Sequence, residues 1–179
     1  MKEKSVVLID AENVLKPWQK YCTKMNLNEK INYSNLVKVL SQDTNLLRAY
    51  FYDGVPEDIP IKKKNFLEAL QKQGIQLRTK ILKNRYHMCN NCNVPTLKSI
   101  QKGVDVSLAT DILRHAFQQT CEICIVVSGD ADYKDAIEVA KDKGIKVWVA
   151  SFKSALSSEV ERTVDKVIIL DEIFDKIKQ

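Results

Sequence analysis

Acidic side chains follow two apolar segments of the sequence, at points where buried strands would open to solvent. Asp10 directly ends the segment VVLI, and Asp130 follows ICIVV after a Ser-Gly pair. Asp132 comes two residues later, and Asp105 opens a helical segment after KGV. Because ligands of an open parallel sheet gather beyond the carboxyl ends of its strands, these carboxylates would face one crevice if the two strands are neighbours.

The chemistry of such a group of aspartates follows from their charge. Carboxylates at close quarters repel one another, and they stay ionised together only when cations lie among them. Oxygen ligands without histidine or thiolate favour a hard ion such as Mg²⁺ or Mn²⁺. Such an ion can activate water, stabilise a leaving oxygen and offset phosphate charge.

The same aspartates have a purely structural alternative as helix N-caps. Aspartate is a favoured N-cap, and Asp105, Asp130 and Asp132 each lie near a predicted helix start. Asp10 fits this role less well, because it directly ends an apolar strand and Asn13 lies three residues further on. Capping and metal binding therefore both remain open for three of the four residues.

Apolar, β-branched segments alternate with helical patterns along the whole chain. The predicted strands are residues 4–9, 47–52, 75–82, 122–127, 145–150 and 167–170. The predicted helices are residues 33–41, 61–73, 104–118, 133–143 and 171–177, with an uncertain helix over 13–25 broken by Pro17 and a long loop over 83–102. Strands separated by helices imply right-handed crossovers and a parallel sheet. We expect one α/β domain over residues 1–179, with a mostly parallel central sheet of five to six strands.

Positive charge is concentrated in the middle of the chain. Residues 59–104 contain ten basic residues and one acid, a net charge of +9, whereas the whole protein carries +5. The remainder is therefore mildly acidic, at −4. This asymmetry favours a polyanionic partner, and a solvated lysine-rich face is the structural alternative.

Composition excludes several other classes of protein. The 179 residues are 45% hydrophobic and 28% charged, which is typical of a globular domain in water. No apolar segment has the length of a membrane span or a signal peptide, so we expect no membrane partner and a cytoplasmic location. The five glycines cannot form a phosphate-binding loop motif. The two histidines give no hydrolase triad.

Two pairs of cysteines leave a zinc site as a minor alternative. Cys89 and Cys92 lie near His87, and Cys121 and Cys124 form a second pair. A helix separates the two pairs, and Cys124 falls within a predicted core strand, where a buried free thiol is the simpler interpretation. A structural zinc ion would most simply use His87, Cys89 and Cys92.

Several motifs together resemble the NYN domain of the LabA-like (DUF88) group. These are VVLIDAENV near the start, YFYDG after the second strand, KGVDVSLATDIL in the middle, VVSGDADYKDAIEVAKDKGIKVWV further on, and SALSSEVERTVDKVIIL near the end. They occur in the expected order over nearly the whole chain. The resemblance implies a three-layer PIN-like fold and a metal-dependent ribonuclease with aspartates at the edge of the sheet.

The resemblance also assigns roles to individual residues. Asp10, Asp105 and Asp130 would bind Mg²⁺ or Mn²⁺, and Asp132 would be the fourth catalytic acid. Asn13, Ser128 and Asp111 would support them. Tyr133, where the family often has Phe, is expected to pack against the sheet. The residues that would follow the backbone of RNA, expected to be single-stranded, are Lys62, Lys63, Lys64, Arg78, Lys80, Arg85 and Lys102.

Two other functions remain as alternatives to a ribonuclease. A non-catalytic RNA-binding or regulatory NYN domain would keep the fold with an inactive site, although the intact set of four acids argues against it. A haloacid-dehalogenase-like phosphatase matches Asp10 and GDADYKD loosely. Such enzymes usually have a second aspartate two residues after the first, where this chain has Glu12. The sequence is also compatible with a homodimer.

Overall fold

A computed structural model describes the backbone of residues 2–88, 95–100 and 103–179, and the side chains of residues 2–82 and 103–179. The strands are β1 (Lys4–Asp10), β2 (Asn45–Val55), β3 (Ile75–Ile81), β4 (Lys83–Met88), β5 (Pro95–Ile100), β6 (Ile123–Val127), β7 (Lys146–Ser151) and β8 (Lys166–Ile169). The helices are α1 (Ala11–Lys24), α2 (Tyr33–Leu40), α3 (Ile61–Lys72), α4 (Val104–Gln118), α5 (Lys134–Asp142), α6 (Ser158–Thr163) and α7 (Phe174–Ile177). Short 3₁₀ turns cover Ala131–Tyr133, Lys153–Ala155 and Leu170–Ile173.

The central sheet has six strands in the order β3-β2-β1-β6-β7-β8, and every neighbouring pair is parallel. The predicted α/β class and strand number are therefore confirmed. The chain builds outward from β1 to β3 on one side and from β6 to β8 on the other. The order reverses between β1 and β6, and such a switch point opens a crevice at the carboxyl ends of the two strands.

Helices cover both faces of the sheet and make a three-layer structure. Apolar side chains of α1, α2, α3 and α7 pack on one face, and those of α4, α5 and α6 pack on the other. In β1, Val7 and Ile9 point to the first face and Val6 and Leu8 to the second. A strand buried on both faces needs an unbroken apolar segment, which is why VVLI carries no polar alternation.

The structure differs from the sequence predictions in three places. Helix α1 continues through Pro17, which is buried, and the same helix buries Val14, Trp18 and Cys22 against the core. That burial offsets the lost backbone hydrogen bond of an internal proline. Helix α6 was not predicted, because six residues are too few for a clear helical period.

The predicted loop over residues 83–102 contains strands β4 and β5, which pair with each other in an antiparallel ribbon. The loop prediction was wrong there, because the segment lacks the alternation of apolar residues by which a half-buried strand is identified. Separately, none of the described helices combines the length and the apolar character needed to cross a bilayer.

Candidate functional site

Asp10 and Asp130 lie at the switch point of the sheet. Asp10 is the last residue of β1, and its neighbour Ile9 pairs with Val127 at the end of β6. Asp130 follows Val127 by three residues. Strands β1 and β6 are therefore neighbours, as the predicted grouping of Asp10 and Asp130 requires. Asp10 is fully buried (0% exposed), whereas Asp130 is half-buried.

Asn13 joins these two carboxylates. Its side-chain Nδ2 lies 2.8 Å from Asp10 Oδ2 and 3.3 Å from Asp130 Oδ2, so it donates a hydrogen bond to each. Its backbone N–H donates to Asp10 Oδ1 at 3.2 Å. The amide supplies hydrogen-bond donors without positive charge, so it satisfies oxygen atoms of both aspartates but neutralises neither.

Tyr133 joins Asp10 to a third carboxylate, that of Asp105. The tyrosine hydroxyl lies 2.7 Å from Asp10 Oδ2 and 3.3 Å from Asp105 Oδ1. Because one hydroxyl carries one proton, it can donate to only one of the two carboxylates at a time. The ring packs in the core as expected, with 1% exposed, but its role in the site was missed. The signal was a hydroxyl at a position where the family often has Phe.

A tight turn fixes the position of Asp130. The backbone N–H of Asp130 donates to Ser128 Oγ at 3.3 Å. A Cβ atom on Gly129 would lie 2.3 Å from the carbonyl oxygen of Ala155, so only glycine fits there. Asp132 is exposed, and its backbone N–H donates to Asp130 Oδ1 at 3.1 Å.

Asp10 and Asp130 are helix caps and members of the carboxylate site at the same time. Asp10 caps α1 and Asp130 caps the 3₁₀ turn Ala131–Tyr133, each through Oδ1. Their Oδ2 atoms meet at Asn13. Asp105 lies inside the first turn of α4, whose N-cap is Gly103. Asp10, expected from the sequence to be the poorer capping candidate, does cap α1. Each of the two capping aspartates uses one oxygen for the helical turn and the other for the site.

The carboxylates of the site carry negative charge that no described basic side chain neutralises. Among the described side chains, none of the four aspartates forms an ion pair. Burial raises the pKa of the Asp105 carboxyl above its usual range, and the charges of Asp10, Asp130 and Asp132 raise it further. The Tyr133 hydroxyl acts in the opposite direction by bonding the ionised form.

The carboxylates do not form a direct ligand set in this arrangement. Among the residues whose side chains are described, no three His, Cys, Asp or Glu side chains lie close enough together to hold a metal ion. The hydrogen bonds explain this spacing, because Tyr133 and Asn13 stand between the carboxylates. The donor atoms are nevertheless all oxygens, and the negative charge is unbalanced, which fits a hard divalent cation.

Asp111, predicted as a supporting acid, has other partners. Its carboxylate accepts hydrogen bonds from the Tyr52 hydroxyl at 2.7 Å, from Arg78 Nε at 3.3 Å and from Arg114 Nη1. The Asp111–Arg114 pair was not predicted from the sequence. The spacing of three residues along α4 permits an ion pair, but pairs at this spacing are common on helix surfaces and do not by themselves indicate a site.

The predicted RNA-binding residues lie in two different regions. Lys62, Lys63 and Lys64 belong to α3 on one face of the sheet, and Lys63 pairs with Asp53. Arg78 and Lys80 lie on β3, where they line a cleft against α4 on the other face. The side chains of Arg85 and Lys102 are outside the described residues.

The zinc alternative cannot be followed at its first cysteine pair, because the side chains of His87, Cys89 and Cys92 lie outside the described residues. The second pair is described. Cys121 and Cys124 are buried free thiols. Burial raises the pKa of Cys121 to about 11 and that of Cys124 well above its usual value, so both stay protonated near neutral pH and are poor metal ligands.

Fold and site together define a doubly wound α/β protein with a group of carboxylates at its switch point. The family model of the NYN domain matches residues 4–171, and the chain belongs to this family. It is similar to the low amplitude and bright protein LabA of Synechococcus elongatus, with 28% identity over 169 residues that cover 93% of this chain and 83% of LabA.

A solved structure shows the same fold. It is a protein of unknown function from Vibrio parahaemolyticus, with a TM-score of 0.72 and 20% identity. The match covers 99% of this chain and 97% of the Vibrio chain. At that identity the likeness concerns the fold alone.

Proposed function

We propose that this protein is a metal-dependent ribonuclease that hydrolyses phosphodiester bonds of RNA at the carboxylates of the switch point. One observation carries the proposal. Asp10, Asp105 and Asp130 share two neutral hydrogen-bonding groups, and no described cation balances their charge. Asp10 is fully buried, and Asp105 and Asp130 are half-buried. Carboxylates without a counter-charge are costly to bury, so three that are linked in pairs by Asn13 and Tyr133 favour the binding of a cation. Membership of the NYN family supports the same function.

Each residue has a role that follows from its contacts. Asp10, Asp105 and Asp130 would hold Mg²⁺ or Mn²⁺, and Asp132, exposed at the rim, would face the substrate side. When bound, such an ion activates water and stabilises the leaving oxygen of a phosphodiester. Asn13 fixes the relative positions of Asp10 and Asp130, and Ser128 holds the turn that carries Asp130.

Tyr133 is a positioning residue in this proposal. Its hydroxyl holds Asp10 and Asp105 near each other while their charges are unbalanced. Because the ring is buried, the hydroxyl is fixed by the core rather than by the substrate. The RNA partner is expected to be single-stranded, since the backbone of an unpaired strand can reach the buried Asp10 without melting a duplex.

Cleavage of a labelled single-stranded RNA tests the proposal. The wild type with Mn²⁺ or Mg²⁺ should give products, and EDTA should abolish them. Asp10→Asn and Asp130→Asn should each lower the rate by roughly 100-fold or more, because they remove charge from the site without changing its shape. Asp43→Asn is the matched control, since Asp43 is exposed just before β2, at the opposite edge of the sheet. Equal cleavage by all variants would exclude a role of the carboxylates.

A non-catalytic RNA-binding domain is the second candidate. It is favoured by the absence, among described side chains, of any set of three ligands close enough for a metal ion. In that case the wild type would retard RNA in a gel without products in either metal. The phosphatase alternative has less support, because Glu12, at the position of its second aspartate, forms an ion pair with Lys16. Release of phosphate from small phosphate monoesters by the wild type would support the phosphatase alternative.

A further inference from the structure

A basic cleft lies beside the carboxylate site, between strand β3 and helix α4. Its volume is about 470 Å³. Arg78 and Lys80 of β3 line one wall, and Arg114 of α4 lines the other. The remaining lining residues are Gly103, Val106, Ser107, Thr110 and Asp111. Ser107, Thr110, Asp111 and Arg114 follow one another at helical spacing, so α4 presents these polar side chains to the cleft from one face.

Asp111 organises the two arginines from below. It is buried, with 3% exposed, and it accepts hydrogen bonds from Arg78 and Arg114 at different oxygens. Arg78 is further held by the ring of Tyr50, whose centroid lies 5.0 Å from the guanidinium carbon. Two guanidinium groups are thereby fixed near each other by one carboxylate, and their order is established before any ligand arrives.

The cleft keeps both charge and hydrogen-bond donors available for an anion. Arg78, Arg114 and Lys80 carry three positive charges against the single negative charge of Asp111. Each arginine has five N–H donors, of which the bonds to Asp111 use one. The side chains of Arg78 and Arg114 are 38% and 50% exposed, so the remaining donors can be reached from solvent. Paired guanidinium groups match the geometry of phosphate oxygens.

The cleft lies on the same face of the sheet as the carboxylate site and in the same row of residues. Asp10 pairs with Tyr52, and Tyr52 pairs with Arg78, across three neighbouring strands. Neighbouring strands are about 4.8 Å apart, so the backbones of Asp10 and Arg78 are separated by roughly 10 Å. A polyanion that enters the carboxylate site can therefore place another of its phosphates in the cleft.

We propose that the cleft formed by Arg78, Lys80 and Arg114 binds a backbone phosphate of RNA, next to the bond at the carboxylate site. This inference rests on the proposed function and adds Arg114, which the sequence did not indicate. It also separates the basic residues by role, because Lys62 and Lys64 lie on the opposite face of the sheet. Contact with phosphate positions the strand and carries no preference for base sequence.

Binding of a labelled single-stranded RNA to the full chain tests this proposal. An Asp10→Asn background prevents cleavage, and fluorescence anisotropy gives the Kd over a range of salt concentrations. Arg114→Gln and Lys80→Gln should each weaken binding by roughly three- to tenfold and lower the salt slope by about 0.7. Arg48→Gln and Lys38→Gln are the matched controls, because both residues are exposed and lie away from the cleft.

Further variants separate a phosphate contact from damage to the fold. Arg114→Lys keeps the positive charge and should recover most of the affinity and the salt slope. With Asp10 intact, Arg114→Gln should raise the KM for cleavage more than it lowers kcat, since it removes binding rather than chemistry. Equal losses from Arg114→Lys and Arg114→Gln, with a lower unfolding temperature in both, would overturn the phosphate role in favour of a structural one.

The outcomes for the cleft and for the ribonuclease can be told apart. Metal-dependent cleavage together with unchanged binding by Arg114→Gln and Lys80→Gln would exclude the cleft and leave the ribonuclease intact. Weakened binding by these variants, without cleavage by the wild type, would support the cleft and remove the ribonuclease. If the protein neither binds nor cleaves RNA, both proposals are wrong.

Discussion

Two tyrosine–aspartate pairs on the same face of the sheet serve different purposes. The hydroxyl of Tyr133 lies 2.7 Å from Asp10, and the hydroxyl of Tyr52 lies 2.7 Å from Asp111. Both aspartates are buried. The difference lies in the other partners, because Asp111 also holds two guanidinium groups, whereas Asp10 has only neutral donors among the described residues.

The two carboxylates differ in whether a positive charge lies beside them. A buried charge that is paired and hydrogen-bonded is stable in the folded chain. A buried charge that is hydrogen-bonded but unpaired, beside other carboxylates, raises the free energy of the folded state until a cation arrives. Asp111 is therefore a paired acid of the cleft, whereas Asp10 has no described counter-charge and, in the proposed function, would gain one from the metal ion.

The largest expected effect is stabilisation by a divalent cation. Mn²⁺ at 100 times its Kd should stabilise the wild type by about 2.7 kcal/mol, which raises the unfolding temperature by several degrees. Asp10→Asn should lose this response, and Asp111→Asn should keep it. Thermal unfolding with and without Mn²⁺, with EDTA as the reference, measures the shift. A response that survives in Asp10→Asn would end the distinction between the two aspartates.

Removal of the two carboxylates should have unequal effects on stability in the absence of metal. Asp111→Ala leaves the Tyr52 hydroxyl without its partner and brings Arg78 and Arg114 together unpaired, so we expect a loss of about 1–3 kcal/mol. The partial exposure of both arginines keeps the loss below that of a fully buried pair. Asp10→Asn relieves repulsion and should cost less. Urea unfolding in EDTA compares the two variants.

Removal of each tyrosine hydroxyl tests whether Tyr133 positions the proposed metal ligands. Tyr133→Phe and Tyr52→Phe both keep a buried ring and lose one hydrogen bond to a carboxylate, so each should destabilise the protein by about 1 kcal/mol. Only Tyr133→Phe should change the Mn²⁺ concentration needed for half-maximal stabilisation, since the Tyr52 hydroxyl donates to Asp111 and not to a proposed metal ligand. Equal metal responses in both variants would mean that Tyr133 does not position the site.

The smallest expected effect is a pH dependence that comes from Asp105. Its pKa is raised by burial and by the neighbouring carboxylates, so the folded chain binds the proton more tightly than the unfolded chain. Its contribution to stability is therefore present below the unfolded-state pKa, near 3.9, and is lost as the pH rises through the raised value. In EDTA, Asp105→Asn should remove this fall and be more stable than the wild type near neutral pH. Urea midpoints over a pH series provide the measurement.

Periodicity predicted the class of fold and most of its elements correctly. Segments such as VVLI and ICIVV are apolar without alternation, because parallel strands are covered on both faces. Their ends could be located from the first polar residue, which placed Asp10 and Asp130 at the carboxyl edge. The predictions failed where tertiary packing outweighed local preference. Burial around Pro17 keeps α1 continuous, and pairing between two polar segments forms the ribbon of β4 and β5.

The aspartates, their places at strand and helix ends, and the concentration of positive charge could all be read from the amino-acid sequence. Which of the charges neutralise one another depends on the folded chain. The adjacency of β1 and β6 joins Asp10 to Asp130, and the packing of α4 against β3 brings Asp111 to Arg78. Charge on a side chain is a local property, whereas its neutralisation depends on groups that fold to within a few ångströms of it. Two aspartates that look alike in the sequence therefore become a paired structural acid and an unpaired one.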